Sequence, residues 1–550
     1  MAGLRSSAIA SKEDPLAIDV LFRGGTIHDG LGGPGRQGDV AVAGGRIVAP
    51  DSDSIGPRTR TIEAGGLIVA PGFIDLHSHA DWTLPAYPGA LNSISQGVTT
   101  DVVGNCGFSP APVSPVRERA AELRFQTAAI GPNLDWSWST FRSYLARLDA
   151  ARPAHNVVAL AGFGALRTAA MGMDDRPATP GEIARMRADL EEALDAGAWG
   201  MSTGLVYPPG AYADRTAIIA VGQGLRSRDA LYTSHIRNEA DDLVAAVDEA
   251  IEIGAALGTR VEISHLKSAG IRNHGRIGLA LERIDAARAA GQRVTFDVYP
   301  YSAGSTFLSQ VLPPWLLNGG QEELVARLRS ADVRARLRHE LLVGVRGFAN
   351  YSVASGGWHN ILIASVVNPR LRWAEGQTVA ALAAARAVDP LDLVFDLLIE
   401  DRAGTVMIMF MMDRSDMRAA LAHPAAGIGS DLLGVTSDTA RVHPRTYGTF
   451  ARILRWAARG EGPLDLAQAI GKMTGQTART LGISDRGRIA HGLVADLVVF
   501  DPARIRDRST YAEPTRLAEG VESVLLGGRF AIDGGKVVAR DLGRVLRRPD

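Results

Sequence analysis

The chain predicts an α/β protein: a (β/α)8 TIM-type barrel, a small β-sandwich built from both chain ends, and an inserted lid subdomain. Three observations lead there. Eight short apolar runs alternate with helical patterns through the middle of the 550 residues; β-branched runs split by glycine pairs occupy both ends; and the alternation breaks once, after the seventh run. With 46% hydrophobic and 22% charged residues the chain can bury a large core and divide into more than one domain.

From about Ile18 to Ala70 the segments "VLFRGGTIHDG", "VAVAGGRIVAP" and "TIEAGGLIVAP" read as hairpins and turns of an all-β unit. The same texture returns in "GRIAHGLVADLVVFD" and "VESVLLGGRFAIDGGKVVA". Neither end suffices alone, so residues 1–70 and 482–550 are expected to combine into one β-sandwich domain.

Residues 71–481 carry the barrel pattern. The eight candidate strands are "GFIDLHSH", "VTTDVVGNC", "NVVALAGFG", "AWGMSTGLVY", "LYTSHIRNE", "RVEISHLKS", "RVTFDVYPY" and "AGIGSDLLG". Their near-continuous apolar character suits strands covered on both faces. One intervening helix is explicit: Thr179 and Glu182 form a capping box, Pro180 takes the first helical position, and Ile183, Met186, Leu190 and Leu194 share a face before Gly197 stops it. Residues 307–363, with "LPPWLLNGG", a charged helical segment and "ASGGWHN", are read as a subdomain or lid over the barrel mouth.

Barrels of this type carry their chemistry at the C-terminal strand ends. Those ends hold His77 and His79, the single cysteine Cys106, then His235, His265 and Asp431. Strand alternation puts His77 and His79 on one side, so both can face one ion. Thiolate with imidazole favours zinc over magnesium or calcium, and the same donors accommodate iron, cobalt or manganese. Such an ion acidifies water, and Asp431 can accept the water proton and return it to a departing nitrogen. The sequence therefore reads as a metal-dependent hydrolase.

The order His-X-His, Cys, His, His, Asp, with "GNCGFSPAP", "SHIRNEADDLVAAVDEAIEIG", "ISHLKSAG", "VYPYSAGST" and "HPRTYGTFARIL", resembles the N-acyl-D-amino-acid deacylase (D-aminoacylase) branch of the amidohydrolase superfamily. The resemblance extends to "GRVLRR" near the end. It implies one zinc held tightly by Cys106, His235 and His265, and a second, weak or empty site formed by His77 and His79 with Cys106. It also assigns a substrate carboxylate to Lys267, Tyr299, Ser305 and Arg445. The two cations suit that role, since Lys267 lies two residues beyond His265 and Arg445 offers a planar fork. Arg237, Asn238 and Glu239 are read as supports that orient the imidazoles or close a salt bridge, or as the start of a helix. Tyr301, His359 and His443 are weaker candidates and are not taken as ligands. Leu432 and Leu433 depart from the family, whose members usually carry a glycine after the catalytic aspartate, and the following loop is a few residues longer. Substrate range is therefore not transferred with the chemistry.

Two other readings stay open. A cyclic-amide hydrolase or a dipeptidase would use the same activated water, although cyclic-amide hydrolases resemble one another in a carbamylated strand-four lysine that "AWGMSTGLVY" lacks. A catalytically silent scaffold would have lost ligands that are all present here. The net charge of −1, with dispersed basic residues, predicts no nucleic-acid partner. No apolar run reaches membrane-spanning length, and the first residues lack an apolar signal core, so a cytoplasmic enzyme acting on a small N-acyl amino acid is expected. The sequence sets neither the number of copies nor the substrate's side chain.

Overall fold

The computed structural model describes residues 17–89, 91–128, 134–435 and 441–549. Every one of the eight apolar runs contains a strand: β1 (Phe73–Asp75), β2 (Val98–Val103), β3 (Asn156–Ala159), β4 (Gly200–Gly204), β5 (Leu231–His235), β6 (Arg260–Ile263), β7 (Val294–Val298) and β8 (Ala426–Ile428). Consecutive strands pair in parallel from β1 to β3 and from β4 to β8. After a break at Leu160, the short continuation Ala161–Gly162 pairs in parallel with β4. At the other edge Leu76 N donates to Ile428 O at 3.0 Å, and Leu432–Leu433 runs parallel to Ser78–His79. The first and last strands are thereby hydrogen-bonded, and all the strand ends face the same way.

Helices fill the connections. Pro180–Asp195 carries the expected capping box at Thr179 and Glu182 and buries Met186, Leu190, Ala193 and Leu194 against the strands. That stripe joins Met201, Tyr232, Val261 and Phe296 in the largest apolar cluster.

Strands from both ends of the chain form one nine-stranded sheet, joined where Leu497–Phe500 pairs antiparallel with Ile68–Pro71. Alternation divides its side chains between two cores. Ala70, Val498 and Phe500 join the main cluster, whereas Val69, Leu497 and Val499 pack with Phe22, Val42 and Ile47.

Residues 307–363 fall inside a longer packed unit between β7 and β8. Its three-stranded antiparallel sheet places Val406–Phe410 between Ala303–Phe307 and Ile361–Ser365. Helices Gln321–Leu328, Ala331–Val343, Val379–Arg386 and Pro390–Glu400 surround it. Leu324, Leu328, Ile363, Leu382, Phe395 and Met409 give this unit a separate core. No helix among the described residues is long and apolar enough to cross a membrane.

Candidate active site and metal centre

The strand ends deliver their polar residues through unusual backbone. Cys106, His265 and Asp431 adopt φ of 54°, 34° and 49°, in the left-handed region that side-chain-bearing residues rarely occupy. Each such residue costs on the order of 1–3 kcal/mol and persists where its surroundings over-determine it. Asp431 N donates to His77 O at 2.8 Å, tying the last strand end to the first. Two glycines make room for the Cys106 turn: a Cβ on Gly104 would overlap the Leu160 carbonyl oxygen, and one on Gly204 would overlap that of Cys106.

These turns bring together six side chains separated widely in sequence. Cys106 Sγ lies 3.3 Å from His77 Nε2 and 3.4 Å from His265 Nε2. Three overlapping donor groups converge, each with its ligand atoms within 4.8 Å: Cys106 with His235 and His265, Cys106 with His77 and His79, and His77 with His265 and Asp431. Zinc–sulfur and zinc–nitrogen bonds of about 2.3 and 2.1 Å place tetrahedral ligand atoms roughly 3.5 Å apart, close to the spacings seen. Both ring nitrogens of His235 are buried without a hydrogen-bond partner, as suits a ligand whose bond is to a metal. Cys106 belongs to two of the groups and so can bridge two ions.

Burial pushes the Cys106 thiol well up, and the nearby Asp431 carboxylate adds to the effect. Burial likewise pushes His235 and His265 well down, with Lys267 reinforcing the shift at His265. At neutral pH both imidazoles are therefore neutral donors. Asp431 responds in the opposite sense. Burial alone would raise its pKa, but the Arg445 guanidinium and the surrounding imidazoles overcome this and hold it well below the usual carboxylate range.

Asp431 has two different faces. Its Oδ1 points to His79 Nε2 at 3.5 Å and His77 Nε2 at 3.7 Å. Its Oδ2 lies 2.9 Å from Arg445 Nη1, an ion pair without hydrogen-bond alignment, and Arg445 Nε is buried with no partner. Arg445 is 1% exposed and sits 4.8 Å above the Tyr299 ring, while Lys267 Nζ lies 5.7 Å from the same ring. Ser305 accepts from Arg445 Nη2 through its carbonyl at 3.4 Å, and its hydroxyl donates to Met407 O. Lys267 donates to Glu239 Oε1 at 2.5 Å and lies 2.7 Å from His265 Nδ1. Glu239 also stands 3.0 Å from that nitrogen, positioned to accept its proton when Nε2 binds a metal.

Of Arg237, Asn238 and Glu239, only Glu239 touches the candidate ligands. Arg237 is turned away to Glu249, 2.9 Å distant, and Asn238 accepts from Ala240 N. His443 Nδ1 accepts from Arg445 N, and Tyr301 donates to Pro444 O, so both support the turn that presents Arg445. His359 lies exposed beside Asn360. Leu432 is buried, and Leu433 reaches the cavity wall. The loop difference expected after Asp431 includes residues 436–440, outside the described residues.

Sequence reasoning missed Asp297, whose Oδ2 holds His77 Nδ1 at 3.1 Å. Its signal was present: it lies near the end of β7, two residues before Tyr299, which follows the strand directly. Also missed were the walls of the open cavity of about 600 Å³ over the candidate ligands, where Phe108, Tyr207, Phe307, Tyr351, Met409 and Met411 join Leu433.

Residues 60–274 and 343–532 match the amidohydrolase family. An N-acyl-D-aspartate deacylase from Alcaligenes xylosoxydans xylosoxydans is 40% identical over 98% of this chain and 96% of its own. The chain belongs to the N-acyl-D-amino-acid deacylase family of metal-dependent amidohydrolases. Among solved members, the N-acyl-D-glutamate deacylase of Bordetella bronchiseptica, bound to zinc and a phosphonate mimic of the tetrahedral intermediate, is 35% identical with a TM-score of 0.81, covering 96% of this chain and 100% of that one. A D-aminoacylase with a binuclear metal centre, described as activated by one metal and attenuated by the second, is 36% identical with a TM-score of 0.80 over the same shares. In this amidohydrolase, residues 275–342, between the two matched segments, contain β7 and the first part of the inserted unit.

Proposed function

We propose that this amidohydrolase cleaves the amide of N-acyl-D-amino acids to a carboxylate and a free D-amino acid, with a zinc ion held by Cys106, His235 and His265. The carrying observation is the convergence, in one cavity, of that donor set, Asp431 and the cation Lys267, with Arg445 adjoining the cavity through its ion pair to Asp431. The D configuration rests on the relatives, which act on N-acyl-D-aspartate and N-acyl-D-glutamate.

Zinc bound there would lower the pKa of a water from about 15.7 toward about 7, enabling attack on the amide carbonyl at neutral pH. Asp431 takes the water proton on Oδ1, the oxygen facing the histidines, and passes it to the departing nitrogen. Arg445, with its buried unpaired Nε, and Lys267 bind the substrate carboxylate, with Tyr299 and Ser305 flanking them. That carboxylate offsets the Arg445 charge, which restores basicity to Asp431 as the substrate binds. His77 and His79, with Cys106, form the weaker second site, and Asp297 fixes the orientation of His77.

Among the described residues lining the cavity, no lysine or arginine besides Lys267 is present, and Arg445 adjoins it. With both cations committed to the α-carboxylate, an acidic side chain lacks a counter-charge, whereas Met409, Met411 and Leu433 suit an apolar one. The fold supporting this site reads as a closed (β/α)8 barrel over 71–481 whose ring is completed between β8 and β1. The nine-stranded sheet, drawn from residues 20–71 and 497–537, forms a second domain, and the inserted unit covers the mouth.

The test is hydrolysis of N-acetyl-D- and N-acetyl-L-leucine and N-acetyl-D-aspartate by protein of measured zinc content. The expected result is D-selective cleavage of the leucine substrate with one tight zinc. Asp431→Asn should lower kcat by about 10³-fold with zinc retained. No cleavage of any of these by zinc-loaded protein, or near-normal turnover by Asp431→Asn, would overturn the proposal.

A further inference from the structure

A second cavity of about 520 Å³ shares three walls with the metal-site cavity: Phe108, Tyr207 and Phe307. Their rings form one cluster, with Phe108 5.1 Å from Tyr207 and 6.5 Å from Phe307. The cluster abuts the proposed ligands, since Tyr207 lies 4.9 Å from the His235 ring and Phe108 lies 6.4 Å from that of His79. Beyond it, Phe125, Met173 and Leu317 supply further apolar surface. Four polar residues also line it: Ser309 and Gln310, and two that are already engaged, since Glu122 accepts from Gln321 N at 3.2 Å and the Gln321 side chain donates to Arg402 O.

The direction of the substrate follows from the order of these groups. Ser305 lies beside Arg445, and Phe307 stands two residues further along the same strand, about 6.6 Å away. The metal-site cavity therefore has a carboxylate-binding end, at Ser305 and Arg445, and an aromatic end, at Phe307 and the rings beside His79 and His235. In an N-acyl amino acid the α-carboxylate and the acyl chain lie on opposite sides of the amide nitrogen. With the carboxylate at Arg445 and Lys267, the acyl chain is directed past the aromatic cluster, while Met409 and Met411, near Tyr299, are left to the amino-acid side chain.

Resting on the deacylase reading above, we infer that the second cavity is an acyl-chain subsite, and that the preferred substrates are N-acyl-D-amino acids with medium-length or aromatic apolar acyl groups rather than acetyl. Burial of each methylene is worth up to about a fourfold gain in kcat/KM, so four methylenes give on the order of 100-fold.

The experiment compares N-acetyl-, N-butanoyl-, N-hexanoyl- and N-octanoyl-D-leucine with the zinc-loaded enzyme, then repeats the series with Leu317→Trp and, separately, Met173→Trp, which fill the second cavity from different elements. The expected result is a rise of about 100-fold from acetyl to hexanoyl, with the hexanoyl-to-acetyl ratio collapsing at least tenfold in either folded variant. Inhibition of the unsubstituted enzyme by octanoate far below the concentration needed for acetate provides a readout that needs no variant. A flat or falling series with the short substrates still cleaved, a rise that survives the tryptophan variants, or equal inhibition by acetate and octanoate overturns the subsite alone. Failure to cleave any member overturns the deacylase reading, and this inference with it.

Discussion

Replacing Glu239 with glutamine removes one buried charge from a group that holds Lys267 and His265 and faces His235. Its Oε1 lies 2.5 Å from Lys267 Nζ, 3.0 Å from His265 Nδ1 and 3.7 Å from His235 Nε2. Lys267 is 9% exposed, so Glu239→Gln strands an ammonium in the interior, a change that costs about 3–5 kcal/mol. The second consequence is separate. Without a carboxylate to take the Nδ1 proton, His265 loses the partner that fixes its ring for a metal, and such losses weaken affinity about 10–100-fold, or about 1.4–2.7 kcal/mol. Urea unfolding of the metal-free protein reads the first effect, and zinc competition against a chromophoric chelator reads the second. Adding Lys267→Met should restore most of the stability while leaving zinc affinity low, because it removes the stranded charge without restoring the carboxylate that takes the Nδ1 proton most strongly. Wild-type zinc affinity in Glu239→Gln would refute the orienting role. Recovery of affinity in the double variant would show that Lys267, and not the lost carboxylate, caused the weakening.

Three further outcomes are expected. Arg445→Ala should raise KM for N-acetyl-D-leucine about 100-fold through loss of a buried charged contact to carboxylate, and an unchanged KM in steady-state assays removes Arg445 from substrate binding. In the metal-free protein the Cys106 thiol is pushed up and stays protonated, while His235 and His265 are pushed down and stay neutral, so zinc uptake near pH 6, where a zinc-bound water with a pKa of about 7 keeps most of its proton, should release about one proton and tighten about tenfold per unit of rising pH; calorimetry in buffers of different ionisation enthalpy counts the protons, and two or more at that pH would mean that a histidine starts protonated. Gly204→Ala should destabilise the protein by about 3 kcal/mol and weaken zinc binding, because the added Cβ overlaps the Cys106 carbonyl; an unshifted urea midpoint contradicts this.

What the sequence made legible follows from what each signal required. His77, His79, Cys106, His235, His265 and Asp431 could be grouped because each sits at the end of an apolar run, and strand ends converge whenever parallel strands pair in order. No tertiary distance was needed. Asp297 could not be paired with His77 in that way: the two are 220 residues apart, and their contact depends on how side chains cross the interior rather than on strand order. The inserted unit was hidden for a related reason. Its middle strand, Val406–Phe410, follows its first by about 100 residues and pairs with both edge strands, so local pattern places 307–363 together but does not bring in the strand that joins them.

The same distinction bears on specificity. Chemistry that depends on strand order is carried by the matched parts of the family, whereas the cavity walls combine Phe108 from the turn after β2, Tyr207 beyond β4, and Phe307, Met409 and Met411 from the inserted unit. Phe307 lies in the unmatched stretch 275–342. A pocket assembled this way can change its size and polarity while leaving Cys106, His265 and Asp431 in their left-handed turns. Relatives can therefore share the hydrolytic centre and differ in the substituents they accept. The 40% identity to an N-acyl-D-aspartate deacylase is accordingly stronger evidence for the reaction than for an aspartate side chain, since an acidic group entering this cavity would meet methionine and leucine.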